Sequence, residues 1–230
     1  TQVLTLFPYT TLFRSCLTPI YEELPQAWQC AGHRLRRLPT LQRALSAATP
    51  IILLCNPNNP SALTLPRSTL LDAAARLEQR GGWLIVDEAF ADTEAENGIA
   101  ALAGSAEAPN LIVLRSLGKF FGLAGARVGF IFGVAEKLDR LREAIGPWPV
   151  SHPVRAGARQ ALVDSEWQAA TRHRLAGSSR RLAGLLAPLG AVCRTALFCT
   201  LSLPDNAAQL TALHEHFARR AILTRRFDQH

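Results

Sequence analysis

Between residues 50 and 145 the sequence alternates short apolar runs with segments of helical period, and this alternation restricts the possible folds more than any other feature. The apolar runs, each closed by turn-forming residues, span 50–55, 83–87, 111–114 and 128–132. Helices are predicted between them, at about 66–80, and after them, at about 135–144. Because short apolar strands separated by helices require crossover connections, we predict an α/β fold of three αβα layers with a mostly parallel sheet.

The tetrapeptide GPWP at 146–149 interrupts this pattern and predicts a domain boundary. A large domain over 16–146 and a smaller α/β domain over 150–230 are therefore expected. For the smaller domain, the predicted elements are helices at about 153–164, 166–187 and 206–219, with strands at 196–203 and 222–224.

Composition excludes several classes of protein. The apolar fraction is 48%, and no run approaches the roughly 20 apolar residues that span a bilayer, so we expect no membrane partner and a cytoplasmic protein. The five cysteines are odd in number and scattered, which favours buried thiols and predicts no metal site. The net charge of +7 is spread along helix-like segments without interleaved aromatics, so no nucleic-acid partner is expected.

Polar residues follow the predicted strands at the edge where chemistry is expected. Ligands of open parallel sheets bind beyond the carboxyl ends of the strands, which places Asn59, Asp87 and Ser116 on one rim. Four short motifs contain these residues and their neighbours: NNP at 58–60, VDEAF at 86–90, SLGK at 116–119 and ARVG at 126–129. Each motif alone is weak, since Asn-Pro is a common turn and a strand-end Asp is often a helix cap.

The order and spacing of the motifs resemble the aminotransferase class I/II family of pyridoxal-phosphate enzymes, which have the aspartate-aminotransferase fold (fold type I). The intervals are 28 residues from Asn59 to Asp87, 32 from there to Lys119, and 8 from there to Arg127. The resemblance covers about residues 16 to 229. It implies pyridoxal 5'-phosphate as cofactor, a homodimer, and large and small domains that are both truncated here.

The same resemblance implies a role for each matching residue. Lys119 would hold the cofactor covalently and carry a proton, which suits a flexible amine nucleophile. Asp87 would face the pyridine nitrogen and Asn59 the ring oxygen. The phosphate would be held by Ser116 and by a bidentate contact from Arg127, and Tyr21 would stack on the ring. For Tyr21, a core or interface position remains an open alternative.

Two positions depart from the family pattern. The loop reads NNPSA where relatives usually carry NP[TS]G, so Ala62 replaces a turn glycine. Phe90 stands where many aminotransferases have a tyrosine whose hydroxyl also binds the ring oxygen. Asn59 would therefore have to position that oxygen largely alone.

Longer phrases resemble one branch of the family, the threonine-phosphate decarboxylases of cobalamin biosynthesis. These phrases are DEAF, VLRSLGKFFGLAGARVGF, GPWPVS and VDSEWQ. The resemblance implies decarboxylation of L-threonine O-3-phosphate, a small phosphorylated amino acid, to (R)-1-amino-2-propanol O-2-phosphate. Histidinol-phosphate aminotransferase is the alternative within the family.

The chain contains no Met and starts at Thr1, so we expect an internal fragment. Residues 1–15 match no part of the family and resemble translated sequencing adapter, which predicts an artefactual start. A truncated, inactive cofactor-binding fragment is therefore a further alternative. Ser116-x-x-Lys119 also resembles the nucleophile motif of penicillin-binding enzymes, but the companion KTG and SDN motifs of those enzymes are absent from the sequence. Dinucleotide binding is not predicted either, because no GxGxxG motif follows a strand.

Overall fold

The structure, a computed structural model, describes residues 13–203 and 207–227. Its main sheet contains six strands, β1 to β6: Arg14–Leu17, Leu35–Leu38, Ile51–Cys55, Trp83–Asp87, Leu111–Ser116 and Gly129–Phe132. Four helices, α1 to α4, connect and follow these strands: Glu23–Cys30, Leu41–Ser46, Arg67–Glu78 and Ala135–Ile145. The strand order is β2-β1-β3-β4-β5-β6, and every neighbouring pair is parallel except β5 with β6.

Helices cover both faces of this sheet. On β3, Ile52 and Leu54 point to one face, where they pack with residues of α2 and α3 such as Leu70. The alternate residue Leu53 points to the other face, together with Trp28 of α1 and Leu141 of α4. All five residues of β3 are buried, as expected of a central parallel strand. The predicted three-layer αβα architecture with a mostly parallel sheet is confirmed.

The C-terminal part of the described chain forms a smaller α/β unit. It contains helices α5 to α7, His152–Val163, Ser165–Leu186 and Ala207–Ala218, and an antiparallel pair of strands, β7 and β8, at Ala191–Arg194 and Cys199–Ser202. The connection between α4 and α5 spans 146–151 and contains the GPWP segment at 146–149, and the division into two domains there stays a prediction. The helix break at 164 is built by Asp164, whose carboxylate accepts a hydrogen bond from the Trp167 amide at 3.0 Å.

Three strands were missed and one was wrongly predicted. The strands β1 (RSCL), β2 (LRRL) and β7 (AVCR) are four residues each and carry Arg or Ser, so no continuous apolar run reveals them. Residues 222–224 form no strand. Most of the segment predicted to be artefactual lies outside the described residues, but Arg14 and Ser15 form the first half of β1, so the predicted boundary at 16 falls inside a strand.

Candidate functional site

The carboxyl ends of β3, β4 and β5 meet at one rim, because these strands are parallel and in register. Cys55 pairs with Asp87, and Asp87 pairs in turn with Leu114, two residues before Ser116. The loops that leave this rim carry Asn59, Phe90 and Lys119. The topology therefore brings the strand-end residues singled out in the sequence to one edge of the sheet.

Asp87 ends β4 in a desolvated position. One carboxylate oxygen accepts a hydrogen bond from the Ala89 amide at 2.9 Å. Burial raises the pKa of Asp87 to about 6, although that hydrogen bond and the positive charge of Lys119 act in the opposite direction. With a pKa of about 6 this carboxyl is largely ionised at neutral pH, and a protonated pyridine nitrogen would complement its negative charge.

Lys119 lies close enough to Asp87 for their charges to interact. Its Nζ atom lies 5.2 Å from the centre of the Phe90 ring, a cation–π arrangement. This ring also contacts Phe198 of the C-terminal unit, at 5.1 Å between ring centroids and nearly edge-on. The ammonium group thus interacts electrostatically with the Asp87 carboxylate and with the face of Phe90.

Ser116 ends β5, where it pairs with Gly129 of β6. Its Oγ atom accepts a hydrogen bond from the Gly118 amide at 3.1 Å, which leaves the hydroxyl hydrogen able to donate to an anion. A side chain at Gly118 would approach Ser116 Oγ and Ala124 Cα, both at 3.3 Å, so this turn is tight. Ser116 and the turn after it therefore fit an anionic group such as a phosphate.

Arg127 is exposed and follows a short 3-10 turn over Ala124–Ala126. Its backbone is in the left-handed region, with φ 53°, which costs energy for a residue with a side chain. Its guanidinium donates weakly from Nη1 to the Ala124 carbonyl at 3.5 Å. Residues in such backbone conformations are concentrated at binding sites. Arg127 therefore remains a candidate phosphate ligand.

Asn59 lies in the loop after β3, and the Asn59–Pro60 peptide bond is cis. The loop is held by its neighbours: Asn58 Nδ2 donates to the Pro19 carbonyl at 2.9 Å, and the Thr200 hydroxyl donates to the Pro60 carbonyl. Ala62, which replaces the turn glycine of the family, has φ 59°. The left-handed conformation of that position is thus kept without a glycine.

Tyr21 lies near the same rim, half-buried, and packs against the core on the α1 and α4 side of the sheet. Its backbone amide faces the thiol of Cys55, whose strand position is next to that of Asp87. This location agrees both with stacking on a cofactor and with a core position, so the predicted role stays a prediction.

A buried ion-pair network behind the rim was not anticipated. Arg115 donates from Nη1 to Glu88 at 3.0 Å and from Nη2 to Asp92. Glu88 is fully buried and also accepts from the Ile99 amide at 2.7 Å. Burial raises the pKa of Glu88, while both hydrogen bonds oppose the shift. The one signal in the sequence was a second carboxylate directly after Asp87.

Two further sites were missed because their residues are distant in sequence. Phe198 reaches the rim from the turn before β8 and Thr200 from β8 itself, and nothing local in the segment FCTLS distinguishes them. Within residues 13–203 and 207–227, no cluster of metal-ligating side chains is found, and none of the helices there is both long and apolar enough to cross a membrane.

The family model for aminotransferase class I and II matches residues 17–225. Two similar proteins are named threonine-phosphate decarboxylase. The one from Pseudomonas aeruginosa is 44% identical, over 93% of this chain and 63% of its own length. The one from Sinorhizobium is 38% identical, over 91% of this chain and 61% of its own length. The chain thus spans less than two thirds of these relatives.

The fold matches a crystal structure of histidinol-phosphate aminotransferase from Sinorhizobium meliloti in complex with pyridoxal 5'-phosphate. The TM-score is 0.82, with 23% identity, and the match covers 98% of this chain and 64% of that one. At this identity the likeness concerns the fold alone, and it agrees with the predicted aspartate-aminotransferase type. The extent of the family match, together with the motif order on one rim, shows that the chain belongs to the aminotransferase class I and II family.

Proposed function

We propose that this chain is part of a pyridoxal-phosphate-dependent lyase that decarboxylates L-threonine O-3-phosphate to (R)-1-amino-2-propanol O-2-phosphate in cobalamin biosynthesis. The observation that carries the proposal is the 44% identity, over nearly the whole chain, to a protein named threonine-phosphate decarboxylase. The arrangement of Asp87, Lys119 and Ser116 on one rim supports the cofactor assignment.

Lys119 holds the cofactor covalently and moves a proton at the substrate α carbon. When bound, pyridoxal phosphate supplies an electron sink for the pair of electrons left by the broken bond. Asp87 keeps the pyridine nitrogen protonated. At about 4 Å and an effective dielectric near 20, such an ion pair is worth roughly 4 kcal/mol before desolvation.

The remaining candidates orient the cofactor. Asn59 donates to the ring oxygen largely alone, because Phe90 has no hydroxyl that could also bind this oxygen. Ser116 and Arg127 hold the phosphate through a hydroxyl and a guanidinium, and Tyr21 stacks on the ring. Phe90 instead presents its face to the Lys119 ammonium.

We further propose that the protein is a cytoplasmic homodimer and that its substrate is the small phosphorylated amino acid named above. Dimerisation follows from family resemblance. Light scattering of the purified protein tests it, and a monomer at micromolar concentration would contradict it.

Cofactor attachment is tested by substituting each of the two lysines of the chain, Lys119 and Lys137, with Lys137 as the matched control. We expect purified protein to bind pyridoxal phosphate with a visible absorbance band, and borohydride to fix the cofactor on Lys119. Lys119→Ala abolishes both, whereas Lys137→Ala leaves both unchanged. Folded, colourless protein, or fixation on Lys137, would overturn the cofactor assignment.

The reaction is tested with two substrates. Loaded enzyme is expected to release CO2 from threonine phosphate and not to transfer an amino group from glutamate to imidazole-acetol phosphate. Transfer without CO2 release would establish the aminotransferase alternative. Neither reaction from protein that carries the cofactor on Lys119 would contradict the proposed activity and favour an inactive fragment.

A further inference from the structure

The residues on both sides of Lys119 are buried in a small apolar cluster of their own. Leu117, Phe120 and Phe121 are 2%, 4% and 8% exposed, although Lys119 itself is exposed. Their cluster includes Ala158 of α5 and Leu175 of α6. The loop that carries the lysine therefore rests on helices of the C-terminal unit and not only on the main sheet.

Trp167, in the first turn of α6, contacts both phenylalanines. Its ring lies edge-on to Phe120 with 5.4 Å between centroids and stacks on Phe121 at 6.1 Å, with planes 19° apart. Since the two rings also lie edge-on to each other at 5.0 Å, the three form a closed aromatic triad. Such pairs stabilise geometry beyond the burial of their area.

Arg172, one turn later on α6, links this triad to the segment after Asp87. Its guanidinium carbon lies 5.2 Å from the centre of the Phe120 ring, and its Nε donates to the Asp92 carbonyl at 2.8 Å. The carboxylate of Asp92 binds Arg115, which also binds Glu88. Helix α6 thus contacts both the chain after Asp87 and the chain after Lys119.

We propose that Trp167 and Arg172 are positioning residues that hold Lys119 in register with Asp87. The inference rests on the proposed function, in which the lysine binds the cofactor whose ring nitrogen faces Asp87. A lysine stem is long and flexible, so the position of its amine depends on how firmly its backbone is held. Small displacements of a reacting group cost large factors in rate.

The first test needs no cofactor. In the free protein the amides of Gly122 and Leu123 donate to the carbonyls of Lys119 and Leu117, at 3.0 and 2.9 Å. Hydrogen exchange of these amides reports opening of the lysine loop. We expect Trp167→Ala to accelerate their exchange at least tenfold. Trp148→Ala, at a tryptophan that is 79% exposed, is the matched control and leaves exchange unchanged.

The second test follows the loaded protein. Trp167→Ala is expected to release pyridoxal phosphate at least tenfold faster after dilution and to weaken the visible circular dichroism of the bound cofactor. Trp167→Phe keeps an aromatic ring and is expected to match the wild type in release rate and dichroism more closely than Trp167→Leu. If the side chain only fills space, the Phe and Leu variants should behave alike. Unchanged release and dichroism in Trp167→Ala would overturn the proposal.

Arg172 is tested against its neighbour Arg174, an exposed arginine of the same helix. Arg172→Ala, and to a lesser degree Arg172→Lys, are expected to accelerate release several-fold, while Arg174→Ala does not. Lysine keeps the charge but not the planar group that stacks on Phe120. If Arg174→Ala had the same effect, overall charge rather than position would be responsible.

The two proposals fail in different ways. If the wild-type protein never binds the cofactor, the proposed function is contradicted. The exchange rates of the Gly122 and Leu123 amides still decide whether α6 holds the lysine loop. The other case is that the wild-type protein binds the cofactor on Lys119 while Trp167→Ala and Trp148→Ala are indistinguishable in exchange, release and dichroism. That result contradicts only the role proposed for Trp167 and Arg172.

Discussion

Among the described residues, the centre of the main sheet and the two-stranded sheet differ in burial. Every residue of β3 in the main sheet is buried, while β7 and β8 are half-buried or exposed. Helix α6 beside the small sheet exposes Leu182 and Leu185, at 44% and 62%. The buried strands therefore position the strand ends that form the rim. The less buried C-terminal unit contributes to the candidate site through a few specific side-chain contacts with the rim.

These contacts differ in kind from those of the main sheet. Phe198 meets Phe90, the Thr200 hydroxyl meets the loop of Asn59, and Trp167 meets the segment after Lys119. Each joins one side chain of the C-terminal unit to a loop at the rim, so its loss is expected to alter the site more than the stability of the fold.

The largest effect is expected from truncating a leucine of the main sheet. Leu84 is fully buried in β4, so Leu84→Ala removes apolar contacts and leaves a cavity, at a cost of about 2–5 kcal/mol in the free energy of unfolding. The same change at the exposed Leu185 is expected to cost less than about 0.5 kcal/mol. Denaturant unfolding measures both. Equal losses would show that the two units are not differently packed.

The next effect depends on pH and concerns the rim. Burial raises the pKa of Asp87 from an ordinary 3.8 to about 6, so the folded protein holds this proton more tightly than the unfolded chain. Ionisation therefore lowers stability as pH rises from about 4 through 6. Without cofactor, Asp87→Asn keeps the acceptor for Ala89 and is expected to stabilise the protein at pH 7.5, by at most about 3 kcal/mol.

This gain is expected to shrink between pH 6 and 4 and to vanish below pH 4, where aspartate is protonated in both states. Urea unfolding at several pH values measures it, with Asp72→Asn, at an exposed position of α3, as the control. A gain independent of pH would contradict the assigned cause.

An intermediate effect is expected in the turn between β7 and β8. Thr195 is 5% exposed, and its hydroxyl accepts from the amides of Leu197 and Phe198 at 3.1 and 3.2 Å. Thr195→Val leaves these amides without that acceptor and is expected to cost about 1–2 kcal/mol, whereas Thr195→Ser costs less. Thermal unfolding compares them, and a neutral valine variant would show that the turn is held by packing.

The smallest effect is expected at an exposed ion pair. Glu215 of α7 and Arg219, the residue directly after that helix, lie 3.3 Å apart, with side chains 59% and 73% exposed. Glu215→Gln is expected to change the free energy of unfolding by less than about 0.5 kcal/mol, and less still in 1 M salt. Denaturant unfolding at two salt concentrations measures this change. A loss comparable to that of Thr195→Val would show that this exposed ion pair stabilises the protein as much as the buried hydrogen bonds of the turn.

The sequence predicted the elements that are strongly apolar or clearly periodic. The strand Trp83–Asp87 was predicted residue for residue, and helix α4 to within one residue. The strands β1, β2 and β7 were not predicted, because four-residue segments containing Arg or Ser become strands only through pairing with distant segments. The site residues were suggested by motif spacing, and their roles remain predictions.

By itself, the sequence determined the α/β class and the rim on which Asn59, Asp87 and Ser116 lie. These depend on local periodicity and on the rule that parallel strands end at one edge. The order and spacing of four motifs indicated the family by resemblance. The tertiary structure alone decided that Phe198 faces Phe90, that Arg115 joins Glu88 to Asp92, and that α6 supports the lysine loop. The reason is physical: such contacts join residues up to about a hundred positions apart, and only the folded backbone brings them within reach.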